Sequence, residues 1–258
     1  MLWQPGFPSP LCGTGKHLQE IHHWLRPEIQ GAWWTRNSDW SMAWSRIKGF
    51  MCPSDDIISA GETVNGCVIV LQPDPLNPGT NAVTFGWFTS GNTYDLGKTN
   101  YTGVAGALGD NVSANSAADG PGADLQLFAG LLTNRSSNKL ANCKDGTSNT
   151  LLFGESLGSN LVKPRDYIWS WAGVGSLGTK FGLAPGSGGN TVAGGPICFS
   201  SRHTGVVNFA FADGSIKGLR QGSTGQRNPT SAGSDWYVLQ SLAGQRDGYV
   251  LQNTLSGN

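Results

Sequence analysis

Ser200 to Leu219 reads SSRHTGVVNFAFADGSIKGL, and this stretch decides the fold. Val206 to Ala212 alternates with the period of a strand, the chain turns at Asp213-Gly214, and Ser215 to Leu219 runs back. Asp-Gly between two β-prone runs is a strong short-range hairpin signal, because the turn residues must accept positive φ. His203 stands ten residues before Asp213, which gives a His-x9-Asp-Gly spacing closed by Ser-Arg-His.

Outward from the hairpin, the chain is rich in short strands and loops. Cys67 to Gln72, Thr84 to Thr89, Leu151 to Glu155 and Asp166 to Ala172 read as strands. Residues 109–124 and Gly173 to Gly195 are polar, Gly-rich loops, and Pro73, Pro75 and Pro78 mark another. Two helices open the fold: one carries Leu18, Ile21, Leu25 and Ile29, with Pro27 bending or ending it. The second starts at a Ser38 cap, presents Trp40, Trp44, Ile47 and Met51, and ends near residues 48–50. Leu125 to Thr133 is apolar without a decisive period, and Ser234 to Val250 holds a short helix before an Asp247-Gly248 turn. The economical architecture is one α+β domain over residues 17–258, helices packed on an antiparallel sheet with long Gly-rich loops, after an irregular or truncated segment 1–16.

The bulk numbers narrow the function classes. Seventeen basic and seventeen acidic side chains cancel over 258 residues, so the composition gives no electrostatic footprint for nucleic acid or an anionic membrane. Only 13% of residues are charged, while 38 Gly and ten Trp point to tight turns around an aromatic core rather than disorder. Apolar stretches are too short for a membrane span. Five cysteines lack Cys-x-x-Cys or zinc-type spacing. A Cys52–Cys67 disulfide across a short loop is the preferred pairing, and a wholly reduced set of buried thiols is the alternative.

Each chemical motif has a plain structural reading beside it. His203 and Arg202 pin loops by hydrogen bonds, with Glu155 the carboxylate partner expected for His203. A Ser201–His203–Asp213 triad is rejected because Ser201 lies on no nucleophile elbow. Seven strand residues would also hold Asp213 roughly 23 Å from the histidine end. Asp145, Gly146 and Asn149 sit in DGTSNT, whose composition suits an Asx-turn. The same oxygens suit Ca²⁺, as do Asp110, Asp119 and Asp124, but no EF-hand pattern occurs and the turn is preferred. Tyr167, Trp169 and Trp171 alternate: facing water they would stack on a glycan, facing inward they are core, and core is preferred. Gly13-Thr14-Gly15-Lys16 lacks the remainder of a phosphate loop, and adjacent His22 and His23 diverge on a helix. No catalytic residue, no metal ligand and no cofactor is expected from these patterns.

Four further blocks accompany the His-x9-Asp-Gly hairpin. Arg46 to Asp55 (RIKGFMCPSD), Asn100 to Gly109 (NYTGVAGALG), Asp145 to Glu155 (DGTSNTLLFGE) and Leu242 to Val250 (LAGQRDGYV) appear in order. Together they resemble the prepilin-associated H-x9-DG family, the domain of unknown function 1559, also called bacterial extracellular solute-binding family 10. The resemblance implies a pilin-like fold, an extracellular or cell-surface location, and a non-enzymatic structural role like that of a pseudopilin head. Implied partners are further pilin-like subunits through self-assembly; the family's alternative name implies a secreted module for a glycan or small solute. Residues 1–16 depart from the family's usual leader and anchor helix.

Overall fold

A computed structural model of the chain describes residues 37–58, 65–73, 81–89, 96–108, 125–133, 136–158, 165, 167–185, 198–227, 233–245 and 247–248. Two α-helices and ten strands occur among them. Helix α1 spans Asn37–Ala43. The strands in chain order are β1 (Asn65–Pro73), β2 (Asn81–Thr89), β3 (Tyr101–Val104), β4 (Leu151–Glu155), β5 (Tyr167–Trp169), β6 (Ser176–Leu177), β7 (Leu183–Pro185), β8 (Phe199–Ser201), β9 (Val206–Phe211) and β10 (Ile216–Arg220). Helix α2 spans Asp235–Ala243.

The fold is mixed α and β, dominated by strands, and it corrects the expectation of one antiparallel sheet. Strands form three sheets, in the orders β2-β1-β5, β10-β9-β4-β3-β6 and β7-β8. Each contains a parallel pair: β1 with β5, β3 with β6, and β7 with β8. The expected helix through Leu18 and Ile29 lies outside the described residues, as do Asp110, Asp119 and Asp124. The helix expected from Ser38 starts at Asn37 and stops at Ala43, short of the Trp40–Met51 stripe. Trp40 and Trp44 pack on Ala43 and Leu96, whereas Met51 belongs to a separate cluster with Ile57 and Ile168. The helical period from Trp40 to Met51 therefore splits into one helix and a 3-10 turn at Lys48–Phe50.

Hydrophobic alternation explains the five-stranded sheet. Along β9, Val207, Phe209 and Phe211 are buried while Val206, Asn208 and Ala210 face the other way, half-buried. The buried face joins Leu151, Trp169, Phe199 and Leu219 in the main core, beneath Val238, Leu239 and Leu242 of α2. Phe199 and Phe209 rings stand 5.1 Å apart, and a Cβ at Gly154 would run into both of them. Helix α2 is capped as its sequence suggests, by the Ser234 side chain accepting from Tyr237 N–H at 3.3 Å.

The β9–β10 hairpin forms where Asp213-Gly214 places it, with one correction to the turn. Phe211 carbonyl accepts Gly214 N–H at 2.9 Å, and Phe211 N–H donates to Ser215 carbonyl at 2.8 Å. The loop thus holds three residues, Ala212 to Gly214, with Gly214 in the left-handed region at φ 86°. Asp213 is exposed and caps the turn by accepting Ser215 N–H at 2.8 Å. The Ser215 side chain, followed by this backbone bond, leads the influences holding its carboxyl below the usual carboxylate range.

Candidate functional site

The pairing of β4 with β9 sets the two motifs side by side. They are antiparallel neighbours, with Gly154 opposite Phe209 and Leu151 opposite Phe211. At one end the hairpin tip lands on the DGTSNT segment: Asp213 N–H donates to Thr147 carbonyl at 3.1 Å and Ala212 N–H to Thr150 carbonyl at 2.8 Å. At the other end Asn208 N–H donates to Glu155 Oε2 at 3.0 Å. His203 arrives beside that same carboxylate, its Nε2 at 3.3 Å from Glu155 Oε1. Asp213 and His203 therefore stand at opposite ends of β9, and no Ser201–His203–Asp213 triad assembles. Ser201 Oγ instead donates to Val206 carbonyl at 2.6 Å and accepts His203 N–H at 3.1 Å, which closes the turn into β9.

Asp145, Gly146 and Asn149 build a turn and a clasp. Gly146 has φ 89° and precedes the 3-10 turn Thr147–Asn149. Asn149 Nδ2 donates to Asp145 carbonyl at 3.1 Å. The two Asp145 carboxylate oxygens accept Asp247 N–H and Gly248 N–H, both at 3.0 Å. The carboxylate that was the leading calcium candidate thus has each oxygen engaged by the chain's own tail. Asn149 makes the local side-chain-to-backbone bond expected of the turn, whereas the Asp145 carboxylate is used on the distant Asp247–Gly248 segment.

A buried network with no signal in local sequence underlies the histidine loop. Asp55, 4% exposed, accepts at one oxygen from Arg165 Nη1 and Asn100 Nδ2, each at 2.8 Å. Its other oxygen accepts from Arg165 Nη2 and from Arg202 Nε at 3.0 Å. Burial pushes the Asp55 carboxyl up, but Arg165, Arg202 and Asn100 together outweigh it and hold it below its ordinary value. Asn100 also accepts Cys52 N–H at 2.8 Å through Oδ1. Arg202 accordingly pins its loop, as expected, and the anchor is Asp55.

The Cys52–Cys67 disulfide expected from sequence is corrected by the structure, in which the Cys52 thiol is free. Cys52 Sγ lies 3.6 Å from Glu155 Oε1 and 3.8 Å from His203 Nε2. Burial leads the influences raising its pKa, with the Glu155 charge adding to them. Tyr101, hydrogen-bonded to the same thiol, is pushed up to about 12, first by burial and then by Cys52 and Glu155. Cys143 and Cys198 are also free, and burial takes Cys198 to about 12.

These groups line a surface cleft of about 470 Å³ on the face of the five-stranded sheet turned away from α2. Its polar side holds Cys52, Tyr101, Glu155 and His203; its apolar rim includes the exposed Phe153 and Ile216. The aromatic row lies elsewhere and offers no stacking face. Tyr167 and Trp169 are core, Trp169 donating to Ser156 Oγ at 2.8 Å, and Trp171 lies past the end of β5, donating to Ser45 carbonyl at 2.8 Å. The strand is shorter than its alternating sequence suggested, so the glycan-stacking alternative loses Tyr167 and Trp169 to the core, and half-buried Trp171 no longer shares their strand.

Sequence reasoning missed Asp55, Arg165 and Cys52 as site residues. Asp55 and Arg165 are separated by 110 positions, Cys52 and His203 by 151, and no spacing rule spans such gaps. The available signal was coarser: Cys52 and Asp55 end one quoted block, Asn100 starts the next, Glu155 ends the third, and His203 opens the hairpin motif.

A family model described as a protein of unknown function (DUF1559) matches residues 16–222, a span holding every residue of the cleft and of the Asp55 network. No curated protein and no solved structure matches the chain. The chain belongs to the DUF1559 family of proteins of unknown function.

Proposed function

We propose that this chain is a non-enzymatic, extracytoplasmic surface or structural domain, comparable to the pilin-like head of a pseudopilin and able to assemble with further subunits. One observation carries the reading: Asp55, Asn100, Glu155 and the Arg202–His203 pair, drawn from four separate motif blocks, converge on one stitched junction. Motif residues spent on holding loops together suit a scaffold. A hydrolytic reading is disfavoured because Cys52 N–H, the natural oxyanion donor beside a cysteine nucleophile, already donates to Asn100. Glu155 also meets the same imidazole nitrogen that faces the thiol, whereas a catalytic relay needs the acid on the other nitrogen. Among the described residues no helix is long and apolar enough to cross a membrane.

The cleft favours a second reading, a secreted module for a small solute. Glycan binding by an aromatic row has lost its support through the burial of Tyr167 and Trp169. The location is tested by adding protease to intact source cells that carry the tagged native protein. Digestion without lysis is expected; protection until the cells are broken would overturn an extracytoplasmic role. Recovery in sheared filaments would favour the assembling head, and recovery free in the medium the solute module.

A further inference from the structure

Cys52, Glu155 and His203 bring one ligand atom each to a single point of the cleft wall, all within 4.8 Å of one another. The separations are 3.6 Å for Sγ to Oε1, 3.8 Å for Sγ to Nε2 and 3.3 Å for Nε2 to Oε1. Tetrahedral zinc, with bonds of about 2.3 Å to sulfur and about 2.0–2.1 Å to nitrogen or oxygen, requires ligand separations of about 3.5, 3.6 and 3.3 Å respectively. The observed triangle matches that requirement within the few tenths of an ångström that side chains adjust on binding. A thiol hydrogen bond accounts for the Sγ–Oε1 distance and an ion pair for the Nε2–Oε1 distance; neither requires the 3.8 Å Sγ–Nε2 approach that closes the triangle.

The groups behind the triangle orient it. Asn208 N–H holds Glu155 Oε2 at 3.0 Å, which leaves Oε1 directed at the cysteine and histidine. Tyr101 and Ser54 line the same cleft wall beside Cys52, and hydrogen bonding from both favours its thiolate form. Cys52 is further fixed through Asn100 and the Asp55 network. Metal-ligand side chains are commonly held by such outer partners.

We infer that Cys52, Glu155 and His203 form an open three-ligand site for a divalent transition-metal ion of the zinc class, with its fourth position facing the cleft. One thiolate and one carboxylate balance the dication's charge, and the imidazole completes a sulfur–nitrogen–oxygen set. A thiolate selects against Ca²⁺ and Mg²⁺, which take oxygen ligands. All three residues line the 470 Å³ cleft, so water or a solute donor can supply the fourth ligand. The site goes beyond the surface role proposed above and does not depend on it.

The test titrates the full chain with Zn²⁺ against a chromophoric chelator, alongside the variants Cys52→Ser, His203→Gln and Tyr101→Phe. A specific site in the wild type is expected, weakened about 100-fold or more by either ligand change and about 10-fold by Tyr101→Phe. Absence of specific binding in the wild type, or unchanged affinity in both ligand variants, would overturn the site. Where a ligand variant does not melt cooperatively, zinc-edge X-ray absorption on the wild type decides. A single sulfur at about 2.3 Å with nitrogen and oxygen at about 2.0 Å supports it; no sulfur, or more than one, overturns it.

Discussion

Asp55 is a buried carboxylate whose charge the chain answers with two guanidinium groups and an amide. Arg165, also fully buried, has its ion partner in Asp55. Removing one side of such a pair strands the other charge out of water. Asp55→Ala is therefore expected to lower unfolding free energy by about 3–5 kcal/mol, measured by urea denaturation; a loss under about 1 kcal/mol would mean that the pair is not buried in solution. Gly214 tests a different cause. Its φ is 86° and nothing lies within 4 Å of where a Cβ would sit, so a side chain meets backbone strain and no clash. Gly214→Val should cost roughly 2 kcal/mol and Gly214→Asn well under half of that. Equal melting temperatures for the two variants would show that the turn does not need positive φ. The Asp-Gly signal was legible because a turn is a local decision. Arg165 was not, because its role exists only once a residue 110 positions away is folded against it.

Strands and helices divide along the same line between local and distant causes. Strand β4 forms over the Leu151–Glu155 span its sequence indicates, and the β9–β10 hairpin follows its alternation. Parallel pairs such as β3 with β6 left no trace, since their register is set by strands far apart in sequence. The Tyr167–Trp171 alternation overstated β5 because Ser170 starts a turn, accepting Gly173 and Val174 N–H at its carbonyl, and this carries Trp171 off the strand. For α2 the cap is a local feature with a checkable magnitude. Ser234→Ala should reduce stability by about 1 kcal/mol, and Ser234→Asp should retain most of it. Thermal melts of both variants measure this; a neutral Ser234→Ala would leave the helix held by its buried face alone.

Across the whole molecule, the H-x9-DG spacing works as a ruler. Antiparallel β4 and β9 run side by side, so one end places the hairpin tip on Thr147 and Thr150 while the other places His203 on Glu155. Arg202, next in the chain, then reaches Asp55. The motif was visible in the sequence, but its purpose required the strand pairing. This arrangement also sets an acid limit. Asp55 has a depressed folded pKa, so its contribution is fully present above the unfolded value of about 3.9 and is lost as pH falls through the lower folded value. Melting temperature against pH should fall more steeply for the wild type than for Asp55→Asn below about pH 4; parallel curves would contradict the assignment. The central claim, that separate motif blocks are energetically one junction, is tested most directly by a double-mutant cycle of Asp55→Ala and Arg202→Ala in urea. The account predicts a coupling of about 1–3 kcal/mol, whereas additivity within about 0.5 kcal/mol would contradict it.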